Sequence, residues 1–441
     1  MSSTLDSPGA VILSGGFPSL GAARNLAEHS VKVCVLGSAT SVARFSRAVS
    51  IFLSWPSELK HEELPEYLVK SAEKYRIEGW VLFPMSDEQV RIVAQHRSLL
   101  TEHYVLTTPS WETAKVFYDK RLTYALAREV GVAIPCTYVP RGADQLAALH
   151  VEFPVVLKPA ITNRFLTVTN RKAYRADNQE AFRRLYESIS CVIGPSEVIV
   201  QEWLPQSSNN LFSFAGYFKQ GEPVAGFSAK RTRQLPRDFG RTSTFVEVVE
   251  VPELKELTSQ LLGAVHYTGL AEVEFMWNTK RSRFELLDVN CRLWAWHSLA
   301  IASGLDLPYL AFADALGRNT SIGTVRKGTK WVRLLSDVRA VAQPICSGNL
   351  SLWQYVTSLL GTRAFAVLSL RDPLPFFIEP FLLFIQRLTG IFSGRLLSPS
   401  SRRPAHPGKK PDKGHRQPMT GKTVKVTETG IQKKFRKQNE P

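Results

Sequence analysis

Residues 269–292, GLAEVEFMWNTKRSRFELLDVNCR, constrain the fold of this chain most strongly. An apolar arm, Ala271–Trp277, is followed by a polar and basic turn, Asn278–Arg283, and by a second apolar arm, Phe284–Val289. Two such arms around a short polar segment predict a β-hairpin.

Acidic and amide side chains stand on both arms of this predicted hairpin. Glu274 belongs to the first arm, whereas Asp288 and Asn290 end the second. Strand side chains alternate with a period of two residues, so these three can share one face. Carboxylate and amide oxygens suit Mg²⁺, which prefers hard oxygen ligands. An ordinary edge hairpin with solvated acids is the alternative, and the spacing alone leaves both interpretations open.

The length of the chain indicates how many domains it can form, and its cysteines indicate the redox state of its compartment. With 441 residues, of which 44% are hydrophobic, the chain is long enough for two or three domains with hydrophobic cores. The five cysteines are scattered and have no CxxC spacing, which indicates a reducing compartment and argues against a zinc or disulfide framework. The N-terminus has neither the basic segment nor the apolar run of a secretory signal, so we expect a cytoplasmic location.

The net charge of +16 is concentrated in a basic tail, residues 397–441. Within it, residues 401–441 contain 12 Lys and Arg and 3 Asp and Glu, which leaves +7 for the other 400 residues. The basic tail is rich in Pro, Gly, Lys and Gln and lacks apolar periodicity, so we expect it to be disordered. It could bind an anionic membrane surface or RNA, or it could be a solubilising extension.

Short apolar runs alternate with amphipathic segments in residues 10–110. The runs predict buried strands, and the amphipathic segments predict helices. Strands that alternate with helices indicate a parallel sheet flanked by helices. The predicted strands are Ala10–Leu13, Val31–Leu36, Ile51–Leu53, Trp80–Phe83 and Tyr104–Leu106, and the predicted helices are Leu20–Glu28, Leu64–Tyr75 and Asp87–Leu100.

A glycine-containing segment, Ser14–Gly21, joins the first of these strands to the first helix. Glycines at such a place can expose backbone N–H groups to an anion. The segment is not GxGxxG and no acidic residue ends the second strand, so a dinucleotide-binding fingerprint is absent. A loop that contacts a carboxylate substrate and a plain tight turn both fit the pattern.

A single lysine, Lys158, stands near the end of the apolar strand Phe153–Pro159. Lysine is rarely buried without a partner, and a phosphate is a good candidate; a side chain that reaches solvent is the alternative. Further along, the polar and basic segment 160–176 predicts a hairpin, residues 196–205 predict a buried strand, and residues 294–304 predict a helix.

Residues 374–385, LPFFIEPFLLFI, are strongly apolar but contain Pro375, Glu379 and Pro380. The run is too short and too interrupted for a membrane-spanning helix. It could pack against the body of the protein or lie at a membrane interface beside the basic tail, and core packing is the more common use of such runs.

Taken in order, these features resemble the ATP-grasp superfamily, and within it the carboxylate–amine ligase branch, over residues 10–320. The order of the motifs carries the resemblance, because no single motif is specific enough. It implies an α/β and α+β architecture, with a Rossmann-like preATP-grasp domain followed by a two-lobed ATP-grasp fold. The implied segments are the preATP-grasp domain, 8–110; a linker and lid subdomain, 111–195; a C-terminal subdomain with the metal site, 196–325; a C-terminal extension, 326–396; and the basic tail, 397–441.

The resemblance also implies site residues, with ATP as the cofactor and Mg²⁺ (or Mn²⁺) as the metal. The nucleotide-binding residues would be Lys120, Lys158, Glu202, Trp203, Leu204 and Asn209. The catalytic residues would be Arg231, Arg233 and Arg292, the first two steadying the γ-phosphate and the acylphosphate. The metal ligands would be Glu274, Asp288 and Asn290. Glu272, on the same arm as Glu274, would not be a ligand.

The chain departs from the family's pattern at two places. Asp288 stands where the family commonly has Glu, and its shorter side chain is less suited to bridging two ions. Residues 159–193 contain no glycine, whereas the family has a mobile glycine-rich phosphate loop there. Thr162, Asn163 or Arg164 would then contact the phosphates instead.

The implied function is an ATP- and Mg-dependent ligase that activates a carboxylate as an acylphosphate and joins it to an amine. Its partners would be small-molecule carboxylate and amine substrates; nucleic acid is not expected, and residues 374–441 offer a peripheral membrane contact. Two alternatives remain open: a non-catalytic ATP-grasp-like protein that binds a nucleotide or metabolite, and a membrane- or RNA-associated protein that acts through the basic tail. His297 could touch the substrate, although a helix histidine bound to a backbone carbonyl is the commoner case.

Overall fold

A computed structural model of the chain describes residues 7–56, 59–142, 145–146, 149–169, 171–204, 210–236 and 242–392. Two sequence predictions, the ribose-contacting role of Asn209 and the disorder of the basic tail, lie outside the described residues.

The N-terminal part is a five-stranded parallel sheet with helices on its faces, in the strand order β3-β2-β1-β4-β5. Its strands are β1 (Ala10–Leu13), β2 (Val33–Gly37), β3 (Ile51–Ser54), β4 (Trp80–Pro84) and β5 (Tyr104–Leu106). Its helices are α1 (Phe17–Glu28), α2 (Leu64–Tyr75), α3 (Asp87–Gln95) and α4 (Arg97–Leu100). The predicted parallel sheet is confirmed, whereas the predicted helix 87–100 is divided at His96, whose backbone leaves the helical conformation.

Two helices, α5 (Trp111–Tyr118) and α6 (Lys120–Glu129), connect this sheet to the next layer. The Asp119 side chain caps α6 by accepting a hydrogen bond from the Arg121 N–H, which fixes Lys120 at the first helical position.

A four-stranded antiparallel sheet follows, with the order β6-β9-β7-β8. Its elements are β6 (Thr137–Tyr138), β7 (Val155–Pro159), α7 (Thr162–Thr169), β8 (Tyr174–Ala176), α8 (Gln179–Ile193) and β9 (Val198–Glu202). The prediction of a hairpin at 160–176 was wrong, because its first half forms α7 and only its last three residues form a strand. Phe165 explains the difference: it is fully buried in the core of this subdomain, and that packing outweighs the local preference of the Thr- and Val-rich sequence.

The largest sheet has seven strands in the order β14-β13-β10-β11-β12-β15-β16. Its strands are β10 (Leu211–Lys219), β11 (Glu222–Leu235), β12 (Thr242–Val249), β13 (Gly269–Asn278), β14 (Arg283–Asn290), β15 (Lys330–Val332) and β16 (Thr362–Phe365). The helices that accompany it are α9 (Pro252–Gly263), α10 (Ser298–Ser303), α11 (Leu307–Ala315), α12 (Leu334–Cys346), α13 (Leu352–Ser358) and α14 (Leu374–Phe392). The strands β15 and β16 come from the C-terminal extension, so the extension shares this sheet with residues 196–325.

Two further sequence predictions meet different outcomes here. The hairpin at 269–292 is confirmed as the antiparallel pair β13–β14. The helix predicted over residues 294–304 is shorter, since only Ser298–Ser303 is helical. Trp294 and Trp296 lie before this helix and are buried in the core. Among the described residues, no helix is both long and apolar enough to cross a membrane.

One hydrophobic core joins the N-terminal sheet to the large sheet. On β1, Ala10 and Ile12 face this shared core, together with Trp294, Trp296 and Trp331. The alternate residues of β1, Val11 and Leu13, face the helices on the opposite side. This alternation follows from the period of two in a strand, and it fixes the N-terminal sheet against the layer that carries the hairpin.

Candidate functional site

The hairpin places four polar side chains on one face of the large sheet. Glu274 lies directly opposite Asp288, and Glu272 lies directly opposite Asn290. The Asn290 Nδ2 donates hydrogen bonds of 3.1 Å to both Glu272 and Glu274. Glu272 is the deepest of the four and also accepts a 3.0 Å hydrogen bond from the Ser213 hydroxyl. The hairpin therefore holds its acids side by side, as the alternation predicts.

Cationic side chains from other elements neutralise these acids. Arg231 on β11 donates to Glu274 at 2.6 Å, and Lys120 at the start of α6 donates to Asp288 at 2.5 Å. Arg292, just beyond β14, donates to the Asn290 Oδ1 at 3.0 Å and to Asp87 of α3 at 2.7 Å. Charges from four separate stretches of chain thus meet at one place.

The second predicted phosphate-contacting lysine, Lys158, lies at the end of β7. Its Nζ donates to the Tyr124 hydroxyl at 2.5 Å, and that hydroxyl donates to the Leu287 carbonyl at 2.8 Å. Burial, reinforced by the positive charge of Lys120, lowers the pKa of Lys158 to about 7. A half-buried lysine whose charged form is disfavoured in this way favours an anionic partner, because a nearby negative charge would offset both effects.

The acids show opposite pKa shifts according to their neighbours. Burial and the adjacent charge of Glu274 raise the pKa of Glu272 above its usual value. Burial alone would also raise the pKa of Asp288, but Lys120 and Lys158 outweigh it and lower that pKa. Asp288 is therefore held as a carboxylate, the form in which it can bind a cation.

The predicted hinge residues lie at the end of β9. The Glu202 carboxylate accepts hydrogen bonds from Arg281 and, at 3.0 Å, from the Cys136 backbone N–H. Burial alone would raise its pKa, but these hydrogen bonds lower it. The backbone N–H of Trp203 donates to the Pro154 carbonyl at 3.2 Å. The Arg175 guanidinium carbon lies over the Trp203 ring, 4.8 Å from the ring centre. Glu202 is therefore already engaged by Arg281, which the sequence prediction did not include.

Arg233 lies apart from this group, although the sequence prediction placed it beside Arg231. Its guanidinium donates to Asp337 at 2.9 and 2.8 Å and to the Ser358 hydroxyl at 3.0 Å. The pairing of β11 with β12 shifts register on both sides of Arg233, which is an irregularity of the β-bulge type. The shift breaks the alternation that would put residues 231 and 233 on the same face, so the prediction for Arg233 is corrected.

A cleft of about 340 Å³ connects these residues. The four-stranded sheet forms one wall, the face of the large sheet forms the other, and Lys120 and Asp87 reach the cleft from the helices. Val156 and Met276 lie two residues from Lys158 and Glu274 on their strands, so apolar and charged surfaces are adjacent. The predicted residues that line the cleft are Lys120, Lys158, Glu202, Trp203, Leu204, Arg231, Glu274, Asp288, Asn290 and Arg292.

Besides Arg281, sequence reasoning missed Lys172, Asp87 and Tyr124. Lys172, between α7 and β8, lines the cleft with an exposed side chain, and partial desolvation there lowers the pKa of this lysine. The basic run around Lys172 was visible in the sequence, but it was included in the hairpin predicted for residues 160–176 and given no role in the site. Asp87 and Tyr124 carried no signal, because an N-terminal helix acid and a helix tyrosine usually serve only capping or packing.

The oxygen donors of the cleft suit a divalent cation. Glu274 and Asp288 are adjacent carboxylates on rigid paired strands, and the Asn290 amide lies two residue pairs further along, on the same face. Arg231 adds a buried Nε with no hydrogen-bond partner among the described residues, which suits an anionic ligand. The donor set therefore fits both a hard cation and a phosphate.

His297 does not reach the cleft. It is fully buried, and its Nδ1 lies 2.9 Å from the Trp294 carbonyl. Burial lowers its pKa to about 4. The backbone-carbonyl interpretation of this histidine is confirmed.

Solved structures identify the fold. The N5-carboxyaminoimidazole synthetase from Staphylococcus aureus, complexed with ADP, matches with a TM-score of 0.58 and 12% identity over 79% of this chain and 88% of that chain. The biotin carboxylase domain of the Hydrogenobacter thermophilus 2-oxoglutarate carboxylase, in complex with MgADP, ADP and bicarbonate, matches with a TM-score of 0.57 and 14% identity over 73% of each chain. The L-amino acid ligase from Bacillus licheniformis matches with a TM-score of 0.52 and 13% identity over 74% of this chain and 79% of that chain.

No protein-family model matches the sequence, and no curated protein matches it. At these identities the similarity concerns the fold, and the chain has the two-lobed ATP-grasp fold with a Rossmann-like N-terminal domain, as the sequence predicts.

Proposed function

We propose that the chain is an ATP- and Mg-dependent ligase that activates a carboxylate as an acylphosphate and joins it to an amine. One observation carries the proposal: three cations, Lys120, Lys158 and Arg231, and two carboxylates, Glu274 and Asp288, converge in a single cleft between the two sheets of an ATP-grasp fold.

The cleft suits a nucleotide in both shape and chemistry. Its apolar lining near Val156 and Met276 offers a surface for a base, and its lysines offer charge for phosphates. The structures of similar fold include complexes with ADP and with MgADP, which supports ATP as the ligand. In this arrangement the backbone of Trp203 and Leu204 would face the adenine edge, and Glu202 would accept from the amino group or a ribose hydroxyl.

Glu274, Asp288 and Asn290 would hold the metal ion. When bound, Mg²⁺ would stabilise the negative charge that develops on the phosphate oxygens during phosphoryl transfer. To bind the metal ion, Asp288 would have to release its hydrogen bond with Lys120. Glu274 would contact both the metal ion and Arg231.

The reaction would have two steps. A carboxylate oxygen attacks the γ-phosphorus of ATP, which forms the acylphosphate and releases ADP; the amine then attacks the acyl carbon and displaces phosphate. Phosphoryl transfer needs positioning and charge neutralisation more than a protein nucleophile. Lys158 and Arg231 would neutralise the transferred group, while Arg292, fixed by Asp87 and Asn290, would orient the acid. The substrates would be small molecules, and the reduced cysteines are consistent with a cytoplasmic enzyme.

Phosphate release with ATP, Mg²⁺ and pools of carboxylates and amines tests the proposal. We expect release that requires both pools and that Lys158→Ala and Asp288→Ala each abolish. Lys327→Ala, an exposed lysine paired with Glu250, is the matched control and should retain activity. Wild-type activity in Asp288→Ala would refute the metal assignment.

A nucleotide- or metabolite-binding protein without turnover is the second candidate. The helix α7 favours it, because α7 follows β7 directly where the family has a glycine-rich phosphate loop. ATP binding without amine-dependent phosphate release from any pool would select this function over the ligase.

A further inference from the structure

Helix α14 has two faces of different character. The buried or half-buried residues Pro375, Glu379 and Leu382 face the protein, and the Gln386 side chain donates to the Thr40 carbonyl at 3.2 Å. This inner face accounts for the attachment of the helix to the N-terminal part, so the opposite face needs no role in folding.

The outer face of α14 is entirely apolar and exposed. Phe377, Phe381 and Phe384 are 72%, 63% and 57% exposed, and Leu374 and Leu388 extend the row at its ends. The spacing of three and four residues puts all five on one stripe, about 100° wide or less. A contiguous stripe of exposed phenylalanines is uncommon on a monomer and indicates a contact with another surface.

A basic segment, residues 393–441, follows α14 in sequence and includes the basic tail. Residues 393–441 contain 13 Lys and Arg against 3 Asp and Glu. An apolar helix face followed by a basic segment is the combination that binds anionic bilayers, since each cation adds about 1 kcal/mol near such a surface.

We propose that the outer face of α14 docks on an anionic lipid bilayer, with the phenylalanines in the interfacial region. The basic composition of residues 393–441 is the reason to expect an anionic surface. The helix lies on the surface and does not cross it, in keeping with the absence of a spanning helix among the described residues. This peripheral docking is independent of the proposed ligase activity.

A second copy of the chain fits the stripe less well. Spacing of three and four residues also occurs in paired helices, where charged flanking positions set the pairing. Here the helix positions that flank the stripe are Ile378 and Ile385 on one side and Pro380 and Arg387 on the other. The single acid of α14, Glu379, is buried against the protein, so no carboxylate beside the stripe can pair with Arg387 of a second copy, and lipid is the better occupant.

Sedimentation with vesicles tests the proposal on the full chain. The vesicles contain phosphatidylcholine alone or with about 30% phosphatidylserine, which approximates an anionic leaflet. We expect binding to the anionic vesicles only, weakened by salt. The double variant Phe381→Ser with Phe384→Ser should lower the partition coefficient about tenfold or more, because two exposed aromatic side chains are lost.

Two control variants test whether vesicle binding depends on the apolar side chains of this stripe in particular. Leu99→Ser with Val192→Ser removes exposed apolar residues from α4 and α8 and should leave vesicle binding unchanged. Phe381→Leu with Phe384→Leu keeps the face apolar and should largely restore binding.

Several outcomes would overturn the proposal. Equal vesicle binding of the serine variant and the wild type would assign any lipid contact to the basic segment alone. A dimer in light scattering that the serine variant converts to monomer, without vesicle binding, would assign the stripe to a second copy. Binding of an RNA probe in place of vesicles would assign the basic segment to nucleic acid.

Discussion

Two neighbouring arginines on β11 have different surroundings, and their partners decide what each can do. Arg231 lines the cleft beside Glu274, whereas Arg233 pairs with Asp337, whose side chain is fully buried. Removing one partner of a buried ion pair leaves the other charge unpaired, which is costly.

We predict opposite consequences for the two arginines. Arg231→Met should lower ATP turnover by about a hundredfold, because a cation that acts on transferring phosphate is lost. Arg233→Met should leave turnover nearly unchanged and reduce the free energy of unfolding by about 3 kcal/mol, because Asp337 remains buried and unpaired. Phosphate release and urea unfolding measure the two effects. Loss of turnover in a well-folded Arg233→Met would contradict this assignment.

His297 should make stability depend on pH. Its pKa is about 4 in the folded chain, below the value of about 6.5 expected when unfolded. Between these values the unfolded state binds more protons, so the free energy of unfolding should fall as pH decreases from about 6.5 to 4, by up to about 3 kcal/mol. The urea midpoint at several pH values measures it for the wild type and for His297→Gln. An identical acid loss in His297→Gln would exclude this histidine as the cause.

At the scale of elements, the hairpin was predictable and α7 was not. The hairpin has a strict local signature, since its alternation and polar turn belong to one continuous stretch. In α7 the Thr- and Val-rich sequence favours a strand locally, and the deciding contact is Phe165 with residues distant in sequence. The register shift around Arg233 is equally invisible, because a bulge depends on the partner strand.

Phe165 should control the order of α7. The ring is fully buried and packs edge-on against Tyr174, with 5.9 Å between ring centres. Phe165→Ala should destabilise the four-stranded sheet and its helices by about 3–5 kcal/mol, through lost burial and a cavity. Hydrogen exchange should then increase in residues 155–202 and stay unchanged in β10 and β13. Increased exchange spread equally over the large sheet would contradict a local effect.

At the scale of the whole molecule, residues 326–389 of the C-terminal extension belong to the same compact unit as the N-terminal part and the large sheet. The strands of the extension complete the large sheet, and Asp372 connects it to the N-terminal part. Asp372 accepts from Arg24 at 2.9 Å and from the Ser46 hydroxyl at 2.6 Å. The sequence showed an apolar extension but gave no means to place it, because these contacts join residues more than 300 positions apart.

Asp372→Asn should weaken this connection. Burial alone would raise the pKa of Asp372, but its hydrogen bonds with Ser46 and Arg24 lower it. The stabilisation is therefore present above the pKa of an unfolded aspartate and lost as pH falls through the lower folded value. At neutral pH the variant should lose about 2–4 kcal/mol of unfolding free energy, because Arg24 loses its buried charge partner. Unchanged stability of Asp372→Asn in urea unfolding would show that the extension is held by apolar packing alone.

The order of the cleft residues along the chain was recoverable from the sequence, since strand ends and the hairpin each left a local pattern. Their convergence depends on the packing of three sheets, which no local pattern records. A crystal structure with ADP, Mg²⁺ and a pool of candidate acids tests most directly whether the cleft binds the nucleotide and the metal. We predict the base against Trp203 and Leu204, the phosphates between Lys158 and Arg231, and the metal on Glu274 and Asp288. A nucleotide bound elsewhere, or a metal bound away from these carboxylates, would exclude this cleft as the ATP and Mg²⁺ site.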